Sequence, residues 1–477
     1  MKKLVEYMIP AEDFIFSDKV LSGRETVCLF SKESGAKKAE IPLPPFPESE
    51  WGVKISLKLT AADAGKEACE VFAAELIKGD EKISSAPVQI FTAADQGDFR
   101  YATLESFFLN SSGAPERLFI TRRCEDPGDT FQGTSSVAGV KLEFFTLPAP
   151  GNKVTEAPGY NSWPMCRNLN EKIICSWSRG SKHNIFEPNR AVFARVSGDE
   201  GVSWEEENLV CNTPGRGDVS IGTGLDEEGK MLLFVRHSGS DGFRHRLYRS
   251  SDGKKFDLLC NLDLPLDLVQ ITDVFHVPGV GLMALWFAGS YGNDSEKYWG
   301  KLVSADNGRT WEYTVVEKNL DKLQWPTEPS AVYLGQGRIL VIARTESDEN
   351  STRTAQFQLS STDYGRTWRK ERTNITDVNI STPSLIYDPE SEVVSCYYFY
   401  RGRGVLKCRR ADAQYIFDNP LRWPDPETVT TGSCDAYDAG NVNAFSIGRK
   451  HFLAYYSGKM PHTAVYLKTL TLSPDEK

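Results

Sequence analysis

The sequence predicts an all-β chain: a six-bladed β-propeller over residues 151–477, preceded by a separate β-rich domain, a β-sandwich, over residues 1–150. Three observations carry this. A turn motif recurs at a fixed spacing of a little over fifty residues, short apolar or alternating strands fill the intervals, and the repeat leaves no trace before residue 150.

The turn motif comes first. Ser197-Gly198-Asp199-Glu200-Gly201-Val202-Ser203-Trp204 returns as Ser304-Ala305-Asp306-Asn307-Gly308-Arg309-Thr310-Trp311 and as Ser361-Thr362-Asp363-Tyr364-Gly365-Arg366-Thr367-Trp368. A shortened copy runs from Ser250 to Phe256 around Asp252, so the aspartates lie 53, 54 and 57 residues apart. In such a turn the carboxylate accepts local amide hydrogens, glycine takes a backbone conformation closed to other residues, and tryptophan anchors the hairpin to its sheet. These groups staple hairpins and do no chemistry. Between the turns lie strands such as Ala331–Leu334 and Arg338–Ala343. A unit of this length with four short strands is a propeller blade, which must stack on neighbours to bury both faces. The period gives six blades from about residue 155, the last two without the aspartate turn.

Residues 1–150 read as strands at Thr26–Phe30, Val53–Leu59 and Gly139–Phe145, a helix near Glu67–Leu76, and a proline-rich turn at Ile41–Pro47. Leu147-Pro148-Ala149-Pro150-Gly151 reads as the linker.

A length of 477 residues calls for more than one core. A net charge of −10 argues against nucleic acid as a partner but leaves room for an anionic ligand in a local arginine pocket. No run approaches the ~20 apolar residues of a membrane span. The start, Met1-Lys2-Lys3-Leu4, lacks the apolar segment of a signal peptide, so the expected location is cytoplasmic, or secreted with a leader removed. Ten scattered cysteines without a CxxC pair or Cys/His ligand spacing predict buried thiols in a reducing compartment, no metal and no cofactor.

In an antiparallel meander the start of the first strand meets the end of the second at one rim. The second-strand ends are Arg179, Arg236, Gly289, Arg344, Arg401 and Gly458; the first-strand starts are Ser162, Asp218, Asp273, Glu328, Thr382 and Asp438. Four arginines at one position of a six-fold ring, with carboxylates between them, predict a pocket for an acidic ligand. Guanidinium grips carboxylate two-pronged. Mutual neutralisation of the ring is the structural alternative.

The repeated aspartate turns over residues 155–477 resemble those of the sialidase superfamily. That resemblance implies arginines on a sugar carboxylate, a tyrosine nucleophile polarised by glutamate, and an aspartate as acid/base, an exception to the two-carboxylate glycosidase scheme. Thr327-Glu328-Pro329-Ser330 followed by Gly337–Arg344 is similar to the family's Glu-then-Arg blade. By the resemblance Glu328 polarises the nucleophile, Arg344 and Arg401 (or its neighbour Arg403) hold the carboxylate, and Arg179 matches the arginine after the first blade's second strand. Tyr437 falls near the nucleophile position, where Asn441 also fits.

Two departures stand out. The family opens blade one with an arginine two residues before a proline, where Asn161-Ser162-Trp163-Pro164 has Ser162; Arg167 or Arg236 could substitute. The acid/base aspartate expected after Arg179 is missing from Gly180-Ser181-Lys182-His183-Asn184, leaving His183, whose imidazole titrates near neutral pH, or Asp218 or Asp273. The same two losses resemble the phage endosialidases. The expected function is therefore a glycoside hydrolase acting on an acidic, sialic-acid-like sugar, with catalytic candidates Glu328, Tyr437, Asp218 and His183 and substrate-binding candidates Arg179, Arg236, Arg344, Arg401 and Asp273. The alternatives are a non-catalytic glycan-binding propeller and an endosialidase-like depolymerase.

Overall fold

The structure is a computed structural model that describes residues 3–15, 19–22, 25–30, 38–45, 51–62, 69–90, 100–108, 115–122, 134–146, 148–264, 268–288, 296–318, 320, 325–346, 355–378, 381–401, 404–433 and 439–472. Nearly all of the regular structure in its described residues is strand, paired into sheets that fall in two sets along the chain.

The first set uses residues 3–146. One sheet is built on the long strands Trp51–Ala62 and Thr134–Thr146, and the other pairs Lys38–Pro42, Arg117–Arg122, Cys69–Lys78 and Glu81–Ile90. Ile55, Leu57, Leu59, Val140, Leu142 and Phe144 from the first sheet meet Ile41, Ala74, Leu76, Leu118 and Ile120 from the second in one core. This is sheet-on-sheet packing with inward apolar residues at alternate positions. The helix expected near Glu67–Leu76 is instead the strand Cys69–Lys78, with residues 67 and 68 outside the described residues. Ala, Glu and Leu favour helix intrinsically, but this strand is paired on both edges and buries Ala74 and Leu76 on one face, and tertiary pairing overrides the propensity.

The second set forms six blades. Blade one comprises Tyr160–Leu169, Lys172–Gly180, Ala191–Ser197 and Asn208–Cys211; blade two Gly217–Leu225, Met231–Gly239, Gly242–Ser250 and Asp257–Leu262. Blade three has an interrupted inner strand, Leu268–Ile271 and Phe275–Val277, followed by Gly281–Ala288, Tyr298–Ser304 and Glu312–Glu317. Blade four comprises Trp325–Gly335, Arg338–Glu346, Phe357–Ser361 and Arg369–Arg372; blade five Ser384–Asp388, Val393–Tyr400, Val405–Asp412 and Glu427–Thr431. Blade six has Ala439–Ile447, Lys450–Lys459 and His462–Thr471, and its outermost strand is Asn152–Lys153, which pairs with Tyr466 and Leu467. Each inner strand packs on the next, and that of blade six packs on that of blade one, closing the ring.

The aspartate turns lie between third and fourth strands. In the turn at Asp363, the carboxylate accepts the Thr367 amide (2.8 Å) and hydroxyl (2.7 Å), while the Ser361 hydroxyl accepts the Gly365 amide at 2.9 Å. Gly365 has φ +77°, a left-handed conformation that suits glycine. The two blades without the turn have structural reasons to lack it. In blade five a short helix, Ala413–Asp418, makes the connection, capped by Asp412 accepting the Tyr415 amide. In blade six the fourth strand comes from the chain ahead of blade one, so no third-to-fourth hairpin exists.

Candidate functional site

The inner strands carry irregularities of register near their first residues, between Ser162 and Met165, Ser220 and Gly222, Thr327 and Pro329, and Gly440 and Asn443. In blades one, four and six the extra residue is left-handed and not glycine: Trp163 (φ 53°), Glu328 (φ 44°) and Asn441 (φ 42°). A bulge of this kind re-aims a side chain out of the sheet, and a strained conformation held at a rim is a mark of function. The structural counterpart of Glu328 in blade one is thus Trp163, not Ser162: both precede a proline, and Ser162 pairs with Ser178 as Thr327 pairs with Arg344.

This register decides where the arginines go. Ser178 holds the position of Arg344, so Arg179 is one residue out, and a shift of one reverses the face. Arg179 shares the face of Trp177; its guanidinium stacks 4.1 Å from the centre of the Phe193 ring, pairs with Glu207 beside the outer strand, and donates through Nε to Asn161 at 3.0 Å. It does not join Arg344 and Arg401. Arg236 keeps the face of Leu232 and Phe234 and is buried with its guanidinium 5.5 Å from the Phe243 ring centre.

Four of the expected residues do come together. Arg344 donates to Glu328 at 2.8 Å and also pairs with Glu346; the Thr382 hydroxyl, from the entry to blade five, donates to the same Glu328 oxygen. Burial alone would raise the Glu328 carboxyl, but Arg344, the Thr382 hydroxyl and Arg401 hold it below the ordinary value, so it is an anion at neutral pH. Arg401 follows Tyr400 at the end of its strand and lies against Gly440, where a Cβ would sit 3.3 Å from its Nε. His183, on the loop after blade one's second strand, accepts or donates at Nδ1 with the Tyr160 hydroxyl (2.7 Å) and packs edge-on to Tyr160 and Trp163. Its imidazole is pushed down to about 4, first by burial and then by Arg401, Arg190 and Arg344, which outweigh Glu328. The field at this ring is positive on balance.

Arg190 escaped the sequence reading. It is fully buried ahead of blade one's third strand, over the Trp163 ring at 4.8 Å, and donates to the Asn184 carbonyl (3.0 Å), the Lys182 carbonyl and Glu187 (3.4 Å). It thereby fixes the loop that presents His183. Burial lowers its guanidinium to about 10, still protonated at neutral pH. Tyr160 was also missed.

Two candidate carboxylates lie elsewhere. Asp218 is fully buried and faces His237 Nδ1 at 2.7 Å. Asp273 sits in the interruption of blade three's inner strand, five residues past its start, and binds Arg167 of blade one, Asn443 of blade six (2.7 Å) and the Thr223 amide of blade two (2.9 Å). This group ties the inner strands of four blades together, which accounts for Arg167 too. Tyr437, Asp438, Gly289 and Arg403 lie outside the described residues.

No protein-family model and no curated protein sequence matches the chain. Solved structures do match. A protein of unknown function from Dyadobacter fermentans aligns over 68% of this chain and 98% of its own, with a TM-score of 0.55 and 17% identity. Trypanosoma rangeli sialidase aligns over 68% of this chain and 58% of its own, with a TM-score of 0.50 and 11% identity. The fold is sialidase-like. The NanB sialidase from Streptococcus pneumoniae aligns over 88% of this chain and 95% of its own at a TM-score of 0.49 and 11% identity. At such identities the first two likenesses are of fold alone, and this chain's chemistry has to be argued from its own side chains.

Proposed function

We propose that the mouth formed by blades one, four and five is the site of a glycoside hydrolase acting on an acidic sugar of the 2-keto-3-deoxy or uronic type. Residues 1–150 serve as an accessory domain in this reading. The observation that carries it is the convergence of Arg344, Arg401 and Glu328 on the neighbourhood of His183, with a field there that favours an anion. Arg344 and Arg401 hold the sugar carboxylate, as planar guanidinium groups do. Glu328, ionised and held by Arg344 and Thr382, polarises the nucleophile, for which Tyr437 is the proposed residue. His183 is the proposed proton donor to the leaving oxygen. It is neutral above about pH 4; a bound carboxylate offsets the arginines and raises its affinity for a proton.

That same neutrality favours the second reading, a glycan-binding propeller without turnover, because an uncharged imidazole is a weak acid. Aryl glycosides of several acidic sugars separate the two. Under the hydrolase reading at least one releases its phenol, and Glu328→Gln and Arg344→Ala each lower kcat/KM by ~100-fold or more. Activity untouched by both substitutions contradicts the site; binding with no turnover on any member of the panel supports the second reading.

A further inference from the structure

Asp218, set aside above as an acid/base group, belongs to a second cluster on the seam between blades one and two. Cys211 ends blade one's outer strand, Asp218 lies in blade two's inner strand, and His237 lies opposite Asp218 on the next strand. One donor atom from each, the thiol sulfur, a carboxylate oxygen and an imidazole nitrogen, fall within 4.8 Å of one another. Asp218 and His237 have no exposed side-chain surface, whereas Cys211 is only partly buried. Asp218 accepts the Thr213 amide at 2.7 Å, and among the described residues no lysine or arginine pairs with it. His237 Nδ1 lies 2.7 Å from Asp218 Oδ1 and 2.9 Å from Thr213 Oγ1. A ring nitrogen carries one hydrogen or one lone pair, so it serves only one of the two fully.

We propose that Cys211, Asp218 and His237 bind a divalent transition metal ion of the zinc class, with the fourth position beside the Thr213 hydroxyl. The donor set fits: one sulfur, one nitrogen and one oxygen suit zinc, and three protein ligands leave a four-coordinate ion one vacancy. Charge fits as well. A thiolate and a carboxylate neutralise a divalent ion, so a carboxylate buried without a lysine or arginine partner gains a cation at no net charge. On binding, the Cys211 thiol proton passes to solvent, Nδ1 donates its lone pair to the metal, and the ring hydrogen resides on Nε2. The ligands stand 7 and 19 residues apart in sequence, unlike any short metal motif, because two blades supply them. The ion would pin the end of blade one to the start of blade two.

The test uses the untagged full chain, stripped with a chelator and then titrated with zinc or cobalt(II). The expected result is about one ion bound per chain, a thiolate-to-cobalt charge-transfer band, and a higher melting temperature with zinc. Cys211→Ser should abolish the band and the thermal shift and weaken zinc by ~100-fold. Cys260→Ser, at a half-buried thiol elsewhere, should keep all three. His237→Gln is a second variant, expected to lose uptake while circular dichroism shows the same strand content. A wild-type chain that gives no band, or a band that persists in Cys211→Ser, overturns the proposal.

Discussion

In the proposed site, His183 and Arg190 are the side chains on which the chemistry turns at the scale of single residues. The His183 imidazole is pushed down to about 4 in the folded chain, first by burial, whereas an unfolded histidine titrates near 6.5. If the protonated ring is the acid, kcat/KM falls on the alkaline side from about pH 4, and that limb disappears in His183→Gln; a pH–rate profile checks it. Arg190 acts through the loop rather than on a ligand, so Arg190→Lys, which cannot span two carbonyls and Glu187 at once, should lower kcat more than it raises KM. The linked effect on stability has a definite sign. His183 and His451, the latter also depressed to about 4 first by burial and then by Arg410, bind protons more readily when unfolded. Their contribution is whole above pH 6.5 and shrinks as pH falls towards 4, by roughly 3 kcal/mol each at most. Melting temperatures across that window should drop, and less steeply in His451→Phe.

Elements were more legible than residues, and the reason is the turn chemistry. A Ser-x-Asp-x-Gly-x-(Ser or Thr)-Trp octet specifies its own hydrogen bonds, so Asp199, Asp306 and Asp363 could be assigned before any tertiary contact was known. The carboxyls of all three are lowered to about 2; hydroxyl and amide donors within each turn outweigh what burial there is. Asp363→Ala should cost ~1–2 kcal/mol of stability in a denaturant titration and leave the mouth unchanged. What sequence could not supply was the register at the rim. Counting residues to a strand end placed Arg179 alongside Arg344, but the bulge at Trp163 moves the match to Ser178 and turns Arg179 to the other face. The same limit displaced Asp273, because blade three's inner strand begins at Leu268 and is interrupted where the carboxylate sits. Glu328, Arg344 and Arg401 are neighbours in the structure, as their positions along the chain predicted, because strand, turn and bulge left a trace in the residues themselves.

At the scale of the whole molecule, two devices hold the ring closed. Asn152–Lys153 completes blade six, so the chain that leaves the first set of sheets also locks the last blade to blade one. A Cβ at Gly151 would stand 2.5 Å from the Leu467 carbonyl, and Gly151→Val should therefore lower the melting temperature while sparing the N-terminal sheets. Across the axis, Arg167, Asp273, Asn443 and Thr223 join four inner strands, and Asp273→Ala leaves Arg167 without its carboxylate. Tyr400 and Val405 of blade five lie in the core of the first set, so the strand that leads into Arg401 is anchored from outside the ring as well. All of this serves one claim, that guanidinium groups of blades four and five face a shared anion site beside His183. A crystal structure of the chain soaked with an acidic monosaccharide tests it most directly. The account predicts the sugar carboxylate in hydrogen-bond contact with both Arg344 and Arg401; a carboxylate held at Arg179, or by neither arginine, would contradict it.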